Sequence, residues 1–179
     1  MILRGKAWRF GDHVDTDAII PARHCNTSDP AILAQHCMED ADPEFVTKVR
    51  WGDLIVAGLN FGCGSSREVA PVALRAAGVG AVVAKSFARI FFRNSINIGL
   101  PILECPKAAE GIRLGDEIEV DTGRGLIRDL TTGADYQAAP FPEFLQRIID
   151  RGGLMPYIEE QLAARAKNDS LSGVTRGSG

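Results

Sequence analysis

Two short apolar runs flank a glycine turn and an amphipathic stretch, and this block limits the fold more than any other part of the chain. Residues 53–59 (Asp-Leu-Ile-Val-Ala-Gly-Leu) and 79–84 (Val-Gly-Ala-Val-Val-Ala) read as strands. Residues 66–77 read as a helix closed by Gly78, and 60–65 (Asn-Phe-Gly-Cys-Gly-Ser) as the turn before it. Strand, helix and strand in so few residues make a βαβ unit. Its strands are parallel with a right-handed crossover, which places the chain in the α/β class.

Other elements surround this unit. Residues 2–10 read as a strand, 11–17 as a polar turn, and Ala18-Ile-Ile-Pro21 as a short apolar segment. Ser28 or Asp29 caps a helix that has Pro30 at its first position and runs through Met38. A charged connector with one helical turn follows over 39–52. Helical spacing over 86–95 puts Phe87, Ile90 and Phe91 on one face. Residues 101–105 and 117–121 read as strands, and 125–130 pairs with 134–138 as a hairpin. A helix over 141–151 ends at Gly152-Gly153, and a last short helix covers 155–166. The expectation is one domain over 1–166 and a polar, Gly/Ser-rich, disordered tail over 167–179.

A net charge of -3, without a Lys/Arg cluster, speaks against nucleic-acid binding. No apolar stretch approaches the ~20 residues that cross a bilayer. The N-terminal residues lack the pattern of a secretory signal, so a cytoplasmic location is expected. Cys25, Cys37, Cys63 and Cys105 are scattered and suggest no disulfide framework. The pairs His24-Cys25 and His36-Cys37 match no structural-zinc spacing, and no metal ligands are assigned.

The glycine turn is the first candidate for chemistry. A strand, a glycine turn and a helix start form an anion site, because unpaired N–H groups and the positive helix end point into the turn. Ser65, Ser66 and Arg67 add two hydroxyls and a guanidinium. No Lys follows the glycines, as a phosphate-binding loop requires, and the third glycine of a dinucleotide fingerprint is missing. The plainer reading is that Ser65 or Ser66 merely caps the helix. Cys63 could be a nucleophile at a helix N-terminus, but no His adjoins it in sequence to act as base. Asp12, Asp15 and Asp17 could hold a hard cation or simply form capped turns. Lys85 reads as a solvated or ion-paired lysine rather than a Schiff-base amine, and Arg89 and Arg93 share a helix face.

Three segments occur in order: Gly11-Asp-His-Val-Asp-Thr-Asp-Ala-Ile-Ile-Pro-Ala-Arg23, Asn60-Phe-Gly-Cys-Gly-Ser-Ser-Arg-Glu68, and Lys85-Ser-Phe-Ala-Arg-Ile-Phe-Phe-Arg-Asn-Ser-Ile-Asn-Ile-Gly-Leu-Pro101. Together they resemble the swivel domain of the aconitase family, in the free-standing form of 3-isopropylmalate dehydratase small subunits. The resemblance covers roughly residues 1–160. It implies a three-layer β/β/α swivel domain with the βαβ unit at its centre. It also implies hydro-lyase chemistry on a small dicarboxylate, as in leucine biosynthesis, with this chain as half of a heteromeric active site. A 4Fe–4S cluster is then expected in the large subunit and no cofactor in this chain.

By the same resemblance, Ser65 is the catalytic serine that removes the proton alpha to a carboxylate. Arg67 binds a substrate carboxylate, Ser66 assists, and Thr16 and Asp17 line the site together with Arg23. The loop His24-Cys25-Asn26-Thr27 faces the variable side group of the substrate. Homoaconitase-like members carry an arginine at the position of Asn26. An amide cannot neutralise a buried carboxylate, so a neutral branch such as isopropyl is expected. Two residues depart from the family pattern: His24 stands where tyrosine is usual, and Val69 where histidine commonly follows Arg-Glu. Citraconate, 2,3-dimethylmalate and homoaconitate remain open as substrates, as does a non-catalytic binding module.

Overall fold

The first strand divides its hydrogen bonds between two partners, and that division sets the architecture. In the structure, a computed structural model describing residues 1–174 (side chains through 167), β1 spans Ile2–Arg9. It is followed by α1 (Thr16–Ile19), a 3-10 turn (Ala22–His24), α2 (Pro30–Gln35), α3 (Phe45–Lys48), β2 (Leu54–Ala57), α4 (Val69–Ala76), β3 (Ala81–Ala84), α5 (Arg89–Asn97) and β4 (Ile102–Glu104). Then come α6 (Pro106–Gly111), β5 (Glu117–Asp121), β6 (Leu126–Asp129), β7 (Asp135–Gln137), α7 (Glu143–Asp150) and α8 (Leu154–Val174). The N-terminal half of β1, from Ile2 to Lys6, pairs antiparallel with β5. Its last residues, from Ala7 to Arg9, pair parallel with β2. The seven strands run β4-β3-β2-β1-β5-β6-β7, parallel on one side of β1 and antiparallel on the other.

Side chains alternate across a strand, so β2 and β3 send successive residues to opposite faces. Ile55, Ala57, Val82 and Ala84 face the helices, in a core with Leu74, Phe91, Leu100 and Ile148. Leu54, Val56, Ala81 and Val83 face the other way and meet Ile118, Val120 and Ile127 of the antiparallel strands. The antiparallel half therefore folds over one face of the parallel half while helices cover the other. This is the expected β/β/α order, with the βαβ unit β2–α4–β3 at its centre. Buried Asp53 joins the halves: its carboxylate accepts from the Lys6 N–H, the Trp8 Nε1–H and the Arg50 N–H.

Several boundaries differ from the expectation, each for a local reason. Asp29 caps α2 as read, but the helix stops at Gln35, because Met38 turns left-handed (φ 60) and gives its N–H to the Ile19 carbonyl. Helix α4 begins at Val69, not at residue 66. Helix α5 begins at Arg89, so Phe87 precedes it and the buried face is Phe91, Ser95 and Ile96, while Ile90 is exposed. Helices α1 and α6 were not expected; Pro106 opens α6 at a position suited to proline. Helix α8 continues to Val174, past the expected end at Ala166 and into the stretch read as a tail. Ala163, Ala164, Arg165 and Ala166 are strong helix formers that carry it on. The last part of that tail, 175–179, lies outside the described residues. Among the described residues, no helix is long and apolar enough to cross a membrane.

Candidate active site

After β2 the chain enters a turn that only a few residue types tolerate. Asn60, Gly62 and Gly64 all adopt positive φ (57°, 79° and 85°). A Cβ on Gly62 would stand 2.2 Å from Cγ of Phe91, so nothing larger than glycine fits there. Main-chain bonds hold the turn on both sides. Gly62 N–H donates to the Val14 carbonyl and Thr16 N–H to the Cys63 carbonyl, while Phe61 N–H donates to the Ser86 carbonyl and Ala88 N–H to the Phe61 carbonyl. Buried Thr16 adds a third tie, its Oγ1 donating to the Ser65 carbonyl at 2.8 Å.

This bracing presents Ser65 and Ser66 to a cavity of about 470 Å³. Thr16, Asn60, Arg67 and the first turn of α5 also line it, with Arg93 and Asn94 behind. Both serines are exposed, and neither hydroxyl has a hydrogen-bond partner among the described residues. They do not cap α4: Glu68 occupies its N-cap and makes no side-chain cap bond. The positive helix end at this cavity belongs to α5, whose N-cap, Ala88, also leaves the first-turn amides without a side-chain acceptor.

Arg67 is fixed from one side. Its Nη1 donates to Asp17 Oδ1 at 2.6 Å and to the Ile20 carbonyl at 2.9 Å. Nε and Nη2 make no bond among the described residues and remain available as a two-donor edge for a carboxylate. The hydrogen bond between them raises the pKa of Arg67 and holds the Asp17 carboxyl below the ordinary carboxylate range. Asp17 Oδ1 also accepts the Ala22 N–H, linking Arg67 to the 3-10 turn. The other acidic residues of this segment serve the backbone. Asp12 accepts the Leu59 N–H, and Asp15 caps α1 through the Ala18 N–H. Lys85 pairs with Glu110 at 2.8 Å, in keeping with the plainer reading.

The remaining residues singled out in the sequence lie beside the cavity, not in its lining. Arg23 donates to Asp40 at 2.6 and 2.9 Å and to Glu39 at 2.5 Å. His24 and His36 stack with ring centroids 3.6 Å apart, each against a different oxygen of Glu39. Burial pushes the Glu39 carboxyl up, but hydrogen bonds from His36, His24 and Arg23 outweigh it and hold the group below its ordinary value. The Cys25 thiol faces the Pro21 carbonyl, Asn26 is exposed, and Thr27 Oγ1 accepts the Asp29 N–H. Sequence reasoning missed Asn60 and Asn94 in the lining and Glu39 beneath the loop. It had Arg89 and Arg93 on one helix face without placing that face at the cavity.

The cysteines form no cluster-binding set. Cys37 and Cys105 are buried, and burial pushes the Cys37 thiol far up, against the thiolate that an iron ligand must be. Among the described residues, the one group of three or more converging ligand side chains is His24, His36 and Glu39. Among the described residues, no set of thiols converges in the way an iron–sulfur cluster requires.

Known proteins share the sequence and the fold of this chain. The aconitase C-terminal domain profile matches residues 34–108, which include the glycine turn, Ser65 to Arg67 and α5. The 3-isopropylmalate dehydratase small subunit of Moorella thermoacetica is 63% identical over 162 residues, 90% of this chain and 98% of that protein. The small subunit from Aquifex aeolicus is 60% identical over 166 residues, 92% of this chain and 99% of that protein. The crystal structure of 3-isopropylmalate dehydratase from Methanocaldococcus jannaschii superposes with a TM-score of 0.89 at 43% identity, covering 94% of this chain and 99% of that one. With a shared fold over nearly the whole chain and identities of this size, the chain belongs to the 3-isopropylmalate dehydratase small-subunit family, within the aconitase fold.

Proposed function

We propose that this chain is the small subunit of a hydro-lyase that interconverts 2-isopropylmalate and 3-isopropylmalate by dehydration and rehydration, a step of leucine biosynthesis. The observation that carries the reading is the pairing, in one cavity, of an unpartnered Ser65 hydroxyl with an Arg67 fixed by Asp17. Elimination of water from a malate requires a base at the carbon alpha to a carboxylate and a cation to hold that carboxylate. Arg67 offers Nε and Nη2 for the second task. In this reading Ser65 Oγ, which lines the same cavity, takes the first.

A serine hydroxyl is a very weak acid, so its alkoxide needs a positive surrounding. Arg67, the open amides of α5 and the guanidinium of Arg89 line the same cavity and supply one. Thr16 holds the Ser65 carbonyl and so sets the direction of the hydroxyl. Ser66 is within the same lining and is assigned to the substrate carboxylate or to the turn itself. Asp17 orients Arg67 rather than moving a proton, because its carboxyl is kept ionised by that same contact. The loop over 23–27 carries no free cation for a third carboxylate: Arg23 is engaged by Glu39 and Asp40, and Asn26 is uncharged. That favours a neutral branch on the substrate.

We assign the iron–sulfur cluster to a large-subunit partner, since the thiols of this chain do not converge. The chain is therefore half of a site, working in the cytoplasm on a small soluble acid, with no role for nucleic acid or membrane. The test is to mix it anaerobically with a cluster-loaded large subunit and follow alkene formation from isopropylmalate by ultraviolet absorbance. The chain alone should be silent and the mixture active. An assembled, cluster-loaded complex without turnover would contradict this substrate and point to citraconate or 2,3-dimethylmalate.

A further inference from the structure

Beside the cavity, two segments that the sequence keeps apart bring three potential ligands together. His24 closes the 3-10 turn, while His36 and Glu39 follow α2. They meet because the left-handed Met38 turns the chain and bonds to the Ile19 carbonyl at 2.8 Å. His24 Nε2 lies 2.7 Å from Glu39 Oε1, and His36 Nδ1 lies 2.8 Å from Glu39 Oε2. One ligand atom from each residue lies within 4.8 Å of the other two. We propose that His24, His36 and Glu39 bind a divalent transition cation of the zinc class, at a site distinct from the cavity that holds Ser65.

The donor set fits that class. Two imidazoles and a carboxylate are ligands that zinc takes in open, three-protein-ligand sites, whereas magnesium and calcium favour oxygen alone. The three side chains are half-buried (22%, 31% and 24% exposed), which leaves a path for the ion and partly excludes water. The surrounding charges also suit a cation. Arg23 donates to Glu39 Oε1, and Asp40 balances Arg23, so Glu39, Asp40 and Arg23 together leave one negative charge. A second residue that hydrogen-bonds a ligating carboxylate is what orients such ligands elsewhere, and it leaves Oε2 for the ion. Neither neighbouring cysteine takes part: the Cys25 thiol faces the Pro21 carbonyl and Cys37 is fully buried.

The site needs one rearrangement. A tetrahedral centre with bonds of about 2.0–2.1 Å spaces its ligand atoms by roughly 3.3 Å. The His36 Nδ1–Glu39 Oε2 contact of 2.8 Å must therefore open by about half an ångström, and His24 Nε2 must turn from Oε1 towards Oε2. The rings lie within 5° of parallel, and an ion in the plane of both requires at least one imidazole to swing out of the stack. Rotation about a histidine's outer torsion is soft, so this is a small movement for two half-buried side chains. Once bound, the ion staples the loop over 22–24 to the segment after α2.

The experiment uses the full chain, freed of metal by a chelator and titrated with Co²⁺ while its ligand-field absorption is recorded. A saturable 1:1 spectrum of low-symmetry cobalt, displaced by one equivalent of Zn²⁺, is expected. His24→Gln and His36→Gln should each weaken binding by more than about 100-fold, and Arg23→Gln, which removes the donor to Glu39 Oε1, by about 10-fold. Zn²⁺ should raise the melting temperature of the parent chain and leave both histidine variants unmoved. Circular dichroism of each variant checks that it is folded. Binding that survives both histidine substitutions, or is lost in Cys25→Ser instead, would overturn the proposal, as would the absence of saturable binding. The three residues would then be a hydrogen-bonded clasp only.

Discussion

Two loops meet beside the cavity, and they are held by different means. The turn over 60–65 is braced by main-chain bonds to both neighbours and by positive φ at Asn60, Gly62 and Gly64. The loop over 20–27 is held largely by side chains: Asp17 accepts the Ala22 N–H, Arg23 pairs with Glu39 and Asp40, and the His24 ring meets Glu39. Backbone bracing fixes atoms closely and tolerates little change, which suits a base that must meet one carbon. Side-chain bracing lets residues be exchanged at small cost, which suits a loop that adjusts to different side groups. Under the proposed function, chemistry falls to the rigid turn and selectivity to the replaceable clasp.

Substitutions can break this division, and the largest effect is expected in the turn. Gly62→Ala places a methyl against Phe91 at positive φ, and should lower stability by about 2–4 kcal/mol in urea unfolding. Arg67→Lys keeps the charge but loses the two-donor edge. In the assembled complex it should raise KM by about 10- to 100-fold with a smaller change in kcat.

The loop should respond differently. Arg23→Gln removes solvent-exposed ion pairs and should leave the urea-unfolding midpoint close to that of the parent chain. The same variant should alter the ratio of kcat/KM between isopropylmalate and a smaller malate. A stability loss as large as that of Gly62→Ala would erase the distinction between the loops.

The smallest effect concerns pH. The Arg67 hydrogen bond holds the Asp17 carboxyl below its ordinary value. Its contribution is therefore fully present above the unfolded value of about 3.9, and is lost as pH falls through the lower folded one. The stability difference between the parent chain and Asp17→Asn should be constant near neutrality and shrink below about pH 4, measured by thermal unfolding. A difference that grows on acidification would contradict the pairing.

The parallel strands were legible because they are short, apolar and separated by punctuation, and the Asp29-Pro30 helix start because cap and proline agree. The site was legible only as a motif. Serines before an amphipathic run ordinarily suggest an N-cap, yet here Thr16 and two left-handed glycines hold the segment out of the helix until Val69. The helix end that serves the cavity is that of α5, a contact made by the crossover and by no local pattern. The spacing over 86–95 puts Ile90 on one face with Phe87 and Phe91, but the helix starts at Arg89 and buries Phe91, Ser95 and Ile96 while Ile90 faces solvent. Glu39 gave no signal at all, since its partners at 23, 24 and 36 meet it only through the reversal at Met38.

In the proposed function Ser65 carries the proton while Arg67 carries the binding. The most direct test is kcat and KM of Ser65→Ala with isopropylmalate in the assembled, cluster-loaded complex. A fall in kcat of about 10²–10⁴-fold with KM within about threefold of the parent is expected. A variant that keeps its kcat and instead loses affinity would make Ser65 a binding group and leave the base to the partner.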